Sequence, residues 1–156
     1  MVNNTLKYTN ARLMAVQAVY AQAQSGEEWN SLISRFLLEE VGGQVVDKVG
    51  KTEQVISLEA ADKELFAKLT QYVRDNESSL METVQSALSD NVKSNGLDLV
   101  LQAILKIGVA ELYINPDLDI PIIVNEYVDL TRSFYDGPEV KIVNAVLDKI
   151  AHVLRG

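Results

Sequence analysis

The sequence predicts an all-α fold, a compact bundle of about seven helices in two packed helical subdomains, about 1–76 and about 77–156. Three observations predict it. Apolar residues recur at helical spacing in several long segments. Only short β-like runs such as Ile120–Val124 compete, and their flanks read helical. A hydrophobic content of 47% in 156 residues is enough for one compact domain with a buried core.

Each element follows from its own pattern. Asn10 reads as the cap of a first helix that runs to about Gln24 and is closed by Ser25-Gly26, with Leu13, Val16 and Tyr20 on one stripe. Trp29, Leu32, Ile33, Phe36 and Leu37 form the apolar face of a second helix, stopped by Gly42-Gly43. Residues 44–57 keep no period and contain Gly50, so they read as a connecting loop. A third helix turns Leu58, Ala61, Leu65, Leu69, Tyr72 and Val73 inward, and Asp75, Asn76 and Ser78 mark a break. Leu80, Val84, Ala87 and Leu88 continue the helical pattern, and the polar stretch from Asp90 ends in an Asn-Gly turn signal. Leu97, Leu101, Ile104, Leu105, Gly108 and Leu112 share the face of the next helix, which Pro116 ends. Pro121 opens another that finishes near Phe134, before Asp136-Gly137-Pro138. The last runs from about Glu139 to Leu154, with Val143, Val146, Leu147, Ile150 and Leu154 inward.

Composition narrows the function classes. There are no cysteines, which excludes disulfides and thiolate metal sites. No apolar run approaches the roughly 20 residues that span a bilayer, and the polar Met1–Asn10 segment is unlike a secretory signal, so the expectation is a cytoplasmic protein with no membrane partner. The net charge of −8 opposes nucleic-acid binding, because a phosphate backbone is held largely by Lys and Arg. Its distribution is uneven. Residues 1–24 hold Lys7 and Arg12 and no acid, whereas acids outnumber bases by six over 25–96 and by four over 97–156. An RNA binder built this way needs a basic partner.

Catalytic and cofactor motifs are missing. Gly50-Lys51-Thr52 ends like a P-loop, but the required earlier glycine is Val45. Asp117 and Asp119 begin like a calcium loop, yet Ile122 and Val128 stand where glycine and an acid belong. His152 is the sole histidine and has no Glu-x-x-His pairing. Glu111 lies beside an apolar stripe, where a carboxylate more often bonds a neighbouring helix than catalyses. The expectation is no cofactor, no metal and no enzyme activity.

The residues also carry a family resemblance. Ile104-Leu105-Lys106-Ile107-Gly108-Val109-Ala110-Glu111-Leu112 resembles the Leu-Arg-x-x-x-x-Glu-Leu helix of the NusB family. Asp119-Ile120-Pro121 is similar to that family's Asp-Val-Pro. Val124-Asn125-Glu126-Tyr127-Val128-Asp129-Leu130 resembles its Ile-Asn-Glu-x-Val-Glu-Leu, with Phe134 closing the helix. Ile142-Val143-Asn144-Ala145-Val146-Leu147-Asp148 resembles Phe-Val-Asn-Gly-Val-Leu-Asp. Near the N-terminus, the run from Ala11 to Tyr20 is similar to Ala-Arg-x-x-Ala-Val-Gln-Ala-Leu-Tyr, and residues 25–96 match mainly in helical layout.

The resemblance implies a non-catalytic transcription antitermination factor. Such a protein binds single-stranded boxA RNA of nascent ribosomal transcripts as a heterodimer with the ribosomal protein NusE, and the pair joins other Nus factors on RNA polymerase. Carried over by position, it implies RNA contacts at Arg12, Gln17, Lys106, Phe134, Lys141 and Asn144. It implies a NusE contact at Tyr20 and places the family's acidic contact on Leu101, with Asp98 close on the same face. It leaves a homodimer open. The chain departs from the pattern where Tyr8, Thr9 and Asn10 replace arginines, where Ile142 replaces phenylalanine, and in two residues fewer between Pro121 and Asn125. Read from the residues alone, Phe134 and Tyr20 also fit a core, and Lys106, Arg132 and Lys141 also fit solvated faces. Asn144 and Asn125 also fit caps or bonds between helices. Two other readings stand beside this one. The first is the NusB-like domain of a ribosomal-RNA methyltransferase, whose chain would continue into a catalytic domain. The second is a helical interaction module that binds no RNA.

Overall fold

The computed structural model of the chain describes residues 4–38, 44–46, 55–57 and 61–155. Among them are seven helices and one pair of short strands, so the all-α class holds. The chain divides into two compact units, Met1–Thr70 and Gln71–Gly156, and the division falls inside one helix.

In the first unit, α1 (Asn4–Ser25) starts six residues before the expected cap. Asn10 lies inside this helix and is buried, so it caps nothing. The expected stripe is also displaced. Ala11, Met14, Ala15, Val16, Ala18 and Val19 are buried, whereas Leu13 and Tyr20 are only half-buried. A bond from the Gly26 N–H to the Gln22 carbonyl (2.8 Å) closes the helix. Glu28 caps α2 (Trp29–Leu37), its carboxylate accepting from the N–H of Asn30 (2.8 Å) and Ser31 (3.1 Å). Leu32, Ile33 and Phe36 are its buried face, as the spacing predicts. The helix stops at Leu37, and Gly42-Gly43 lie outside the described residues, as does the Gly50-Lys51-Thr52 run.

The stretch 44–57 contains more than a loop. β1 (Gln44–Val46) pairs antiparallel with β2 (Val55–Ser57), with Val45 opposite Ile56. Three residues per strand are too few for alternation to register in the sequence.

Asp62 accepts the N–H of Leu65 (2.7 Å) and so starts α3 (Lys63–Ala87). Ala61 precedes this helix, and Leu58 lies outside the described residues. Phe66, which the inward stripe omits, is fully buried, and its ring stacks on Phe36 at 6.0 Å. Asn76 leaves helical geometry (φ −132°, ψ 23°) and gives its side-chain amide to the Tyr72 carbonyl (2.9 Å), a kink at the expected break.

In the second unit, Leu80, Val84 and Leu88 are buried along the rest of α3 and just beyond it. Asp90–Asn95 is a short helix, α4, rather than a bare turn; Ser89 caps it and Gly96 ends it at φ +76°. Asp98 caps α5 (Leu99–Ile114), which is more enclosed than one face predicts: Ala103 to Leu112 are all buried. A helix apolar on every side packs on every side. α6 (Ile120–Arg132), with Pro121 in its first turn, and α7 (Glu139–Arg155) pack on α5 and on each other. Val143, Val146, Leu147 and Ile150 point inward on α7, but Leu154 is 37% exposed. At the end of α7 the Arg155 guanidinium donates to the carbonyls of Leu112 and Asn115 (both 2.9 Å), which the end of α5 leaves without helical partners, and to that of Leu118 in the turn that follows.

Candidate functional site

A catalytic centre in the second unit would be built from its interior polar groups. The Glu111 carboxylate is fully buried on α5. It accepts from the Tyr127 hydroxyl on α6 (2.6 Å) and from the Asn115 side-chain amide (2.9 Å). These bonds join α5 to α6, as a structural carboxylate does. His152 is exposed on the last turns of α7, against Asp148 of the same helix. Among the described residues no cluster of His, Cys, Asp and Glu could hold a metal ion, and no helix is long and apolar enough to cross a membrane.

The distinctive surface lies where α6 hands over to α7. The N–H groups of Phe134 and Tyr135 both bond the Thr131 carbonyl (2.9 and 3.0 Å), which turns the chain sharply. Gly137-Pro138 then leads into α7. Between the two helices opens a groove of about 590 Å³ over an apolar floor of Val128 and Val140. Its polar lining is Arg132, Tyr135, Asp136, Lys141 and Asn144. Lys141 and Asn144 are exposed one turn apart, so both present their polar ends to the same space. Arg132 reaches Asp129 (2.6 Å) on the same solvent side.

Tyr135 is the best-anchored of these. Its hydroxyl donates to the Asp98 carboxylate at 2.6 Å, and the same oxygen accepts the Leu101 N–H (2.9 Å). Burial first, and then the Asp98 bond, push this hydroxyl well above the usual tyrosine range.

The groove therefore gathers two of the sequence-predicted RNA residues, Lys141 and Asn144. Phe134 is half-buried next to it without lining it. Lys106 is only 7% exposed and pairs with Glu77 of α3 (3.1 Å). In the first unit Arg12 is 6% exposed, and Gln17 and Tyr20 are half-buried on α1. Leu101 is 3% exposed, and Asp98 is exposed with its carboxylate engaged as described. Sequence reasoning missed Tyr135. Its signal was an aromatic next to Phe134 in a turn, where consecutive side chains diverge.

The residue pattern and the fold agree with the comparisons. The model of the NusB family matches residues 9–152. A transcription antitermination protein NusB from Caulobacter vibrioides is 34% identical over 145 residues, 93% of this chain and 92% of that one. The protein of the same name from Brucella anthropi is 36% identical over 146 residues, 94% and 82% of the two chains. Among solved structures, T. maritima NusB superposes with a TM-score of 0.68 at 21% identity, covering 93% of this chain and 90% of that one. A chain from the crystal structure of antitermination factors NusB and NusE in complex with dsRNA gives 0.69 at 22% identity, covering 93% and 96%.

Proposed function

The chain belongs to the NusB family, and we propose that it is a non-catalytic transcription antitermination factor, binding single-stranded boxA RNA of nascent ribosomal transcripts together with the ribosomal protein NusE. The observation that carries this reading is similarity along nearly the whole chain to relatives named for antitermination, at 34% and 36% identity. The solved structure of similar fold, a complex of NusB and NusE with dsRNA, supports RNA and NusE as the classes of partner. On this reading the complex forms in the cytoplasm and joins other Nus factors on RNA polymerase.

The groove supplies the chemistry that an unpaired RNA strand needs. Arg132 and Lys141 offer cations to phosphate, Asn144 offers an amide that can both donate to and accept from a base edge, and an aromatic ring completes the lining. Arg12 and Lys106 are buried, so the proposed contact falls on the groove rather than on them. Tyr20 on α1 remains the proposed NusE contact.

Fluorescence anisotropy with labelled boxA RNA, a scrambled strand and a double-stranded version tests the reading in the presence of NusE. Tighter binding of the single-stranded boxA sequence is expected. Equal binding of all three would contradict it, and preference for the duplex would overturn the single-strand assignment.

A further inference from the structure

Two features of the second unit meet at one hydroxyl. Tyr135 lines the groove, and its hydroxyl donates to the carboxylate of Asp98, 37 residues earlier, at 2.6 Å. Asp98 is also the cap of α5, and that helix is buried along most of its length. A tyrosine in an exposed turn has two side-chain torsions to explore. A fixed acceptor on a rigid helix end removes most of that freedom. Ordering a ring before a ligand arrives lowers the cost of stacking on it, because the lost rotamer entropy is not charged to binding.

We infer that Tyr135 is an RNA-stacking residue of the groove and that Asp98 is its positioning residue, acting on RNA through the Tyr135 hydroxyl rather than by touching NusE. The inference rests on the RNA-binding reading above and adds to it. The base stacks on the Tyr135 ring, its phosphate lies toward Arg132 or Lys141, and Asn144 meets the base edge. The Asp98 carboxylate, already accepting from Tyr135 and from the Leu101 N–H, serves the turn that carries the ring. The sequence places Asp98 near a partner contact; its geometry assigns it here instead.

Three variants test this, with labelled single-stranded boxA RNA as the probe and NusE present throughout. Tyr135→Phe keeps the ring and removes the bond. Asp98→Ser keeps a good helix cap but is too short to reach the hydroxyl. Tyr135→Leu removes the ring. Tyr135→Leu is expected to weaken RNA binding about tenfold, the size of one lost base stack. Tyr135→Phe and Asp98→Ser are each expected to weaken it by about threefold, as one rotor is freed. The double variant Asp98→Ser/Tyr135→Phe should lose no more than either single one, because both break the same bond. Affinity for NusE alone should stay within about twofold in all of them, which a general loss of structure would not allow. Losses that multiply in the double variant, or single variants that bind like the original, overturn the inference while leaving the RNA reading intact. A loss confined to NusE affinity in Asp98→Ser overturns it in favour of a direct partner contact. Failure of the unmodified complex to bind the RNA removes the functional reading, and this inference falls with it.

Discussion

At the scale of single residues, the second unit keeps its charges where they are answered. Glu111 is tolerable in the interior because two donors reach it, Tyr127 and Asn115. Tyr127→Phe removes one donor from a buried carboxylate and is expected to cost about 1–3 kcal/mol, read from the urea midpoint at constant slope. A change under about 0.5 kcal/mol would mean that the bond contributes little. Tyr135 gives a pH signature. Its hydroxyl is raised in the folded state, so its bond contributes stability that is fully present below the ordinary tyrosine value of about 10 and is lost as pH rises through the folded one. The stability gap between the original chain and Tyr135→Phe should therefore shrink as pH climbs above about 10. Comparing the two chains cancels Tyr72, which burial, and then Tyr113, also raise. A gap that stays constant to higher pH would contradict this. Glu111 was legible as structural from its place beside an apolar stripe. Lys106 was not legible as an ion-paired group, because Glu77 is 29 residues away and local periodicity carries no information about it.

Among the elements, α5 decides how tightly the second unit closes. A Cβ on Gly108 would stand 2.8 Å from a terminal carbon of Leu147, itself fully buried on α7. Gly108→Val forces that contact apart and is expected to cost at least about 2 kcal/mol, despite the better helix propensity of the new residue. Thermal unfolding of the variant checks it, and an unchanged midpoint would show that the interface yields freely. The sequence made α2, α6 and α7 legible because each has a clear apolar face and a punctuating cap, proline or glycine. It under-read α5, where a one-faced pattern concealed burial on all sides. The early start of α1 and the six residues of α4 were hidden for the opposite reason. Their first turns are polar, so nothing periodic announces them, and the Ser89 cap alone marks α4.

For the whole molecule the governing quantity is charge. A chain of net −8 that meets RNA gains little from counterion release on its own. The groove offers Arg132 and Lys141, but Arg132 is paired with Asp129 and Asp136 also lines it, so its local field is only weakly favourable. The family was legible from motif order across the C-terminal third, while the lining of the groove was not, since it depends on how a turn folds Tyr135 toward α5. Under the proposed function, a basic companion that completes the surface would reconcile RNA binding with the acidic composition and the few cations at the site. The direct measurement is a titration of single-stranded boxA RNA with the purified chain, with and without NusE, at about 0.15 M salt, where surface charge is already strongly screened. Affinity at least about tenfold higher is expected with NusE, or roughly 1.4 kcal/mol of coupling. Equal affinity in the two titrations would contradict it.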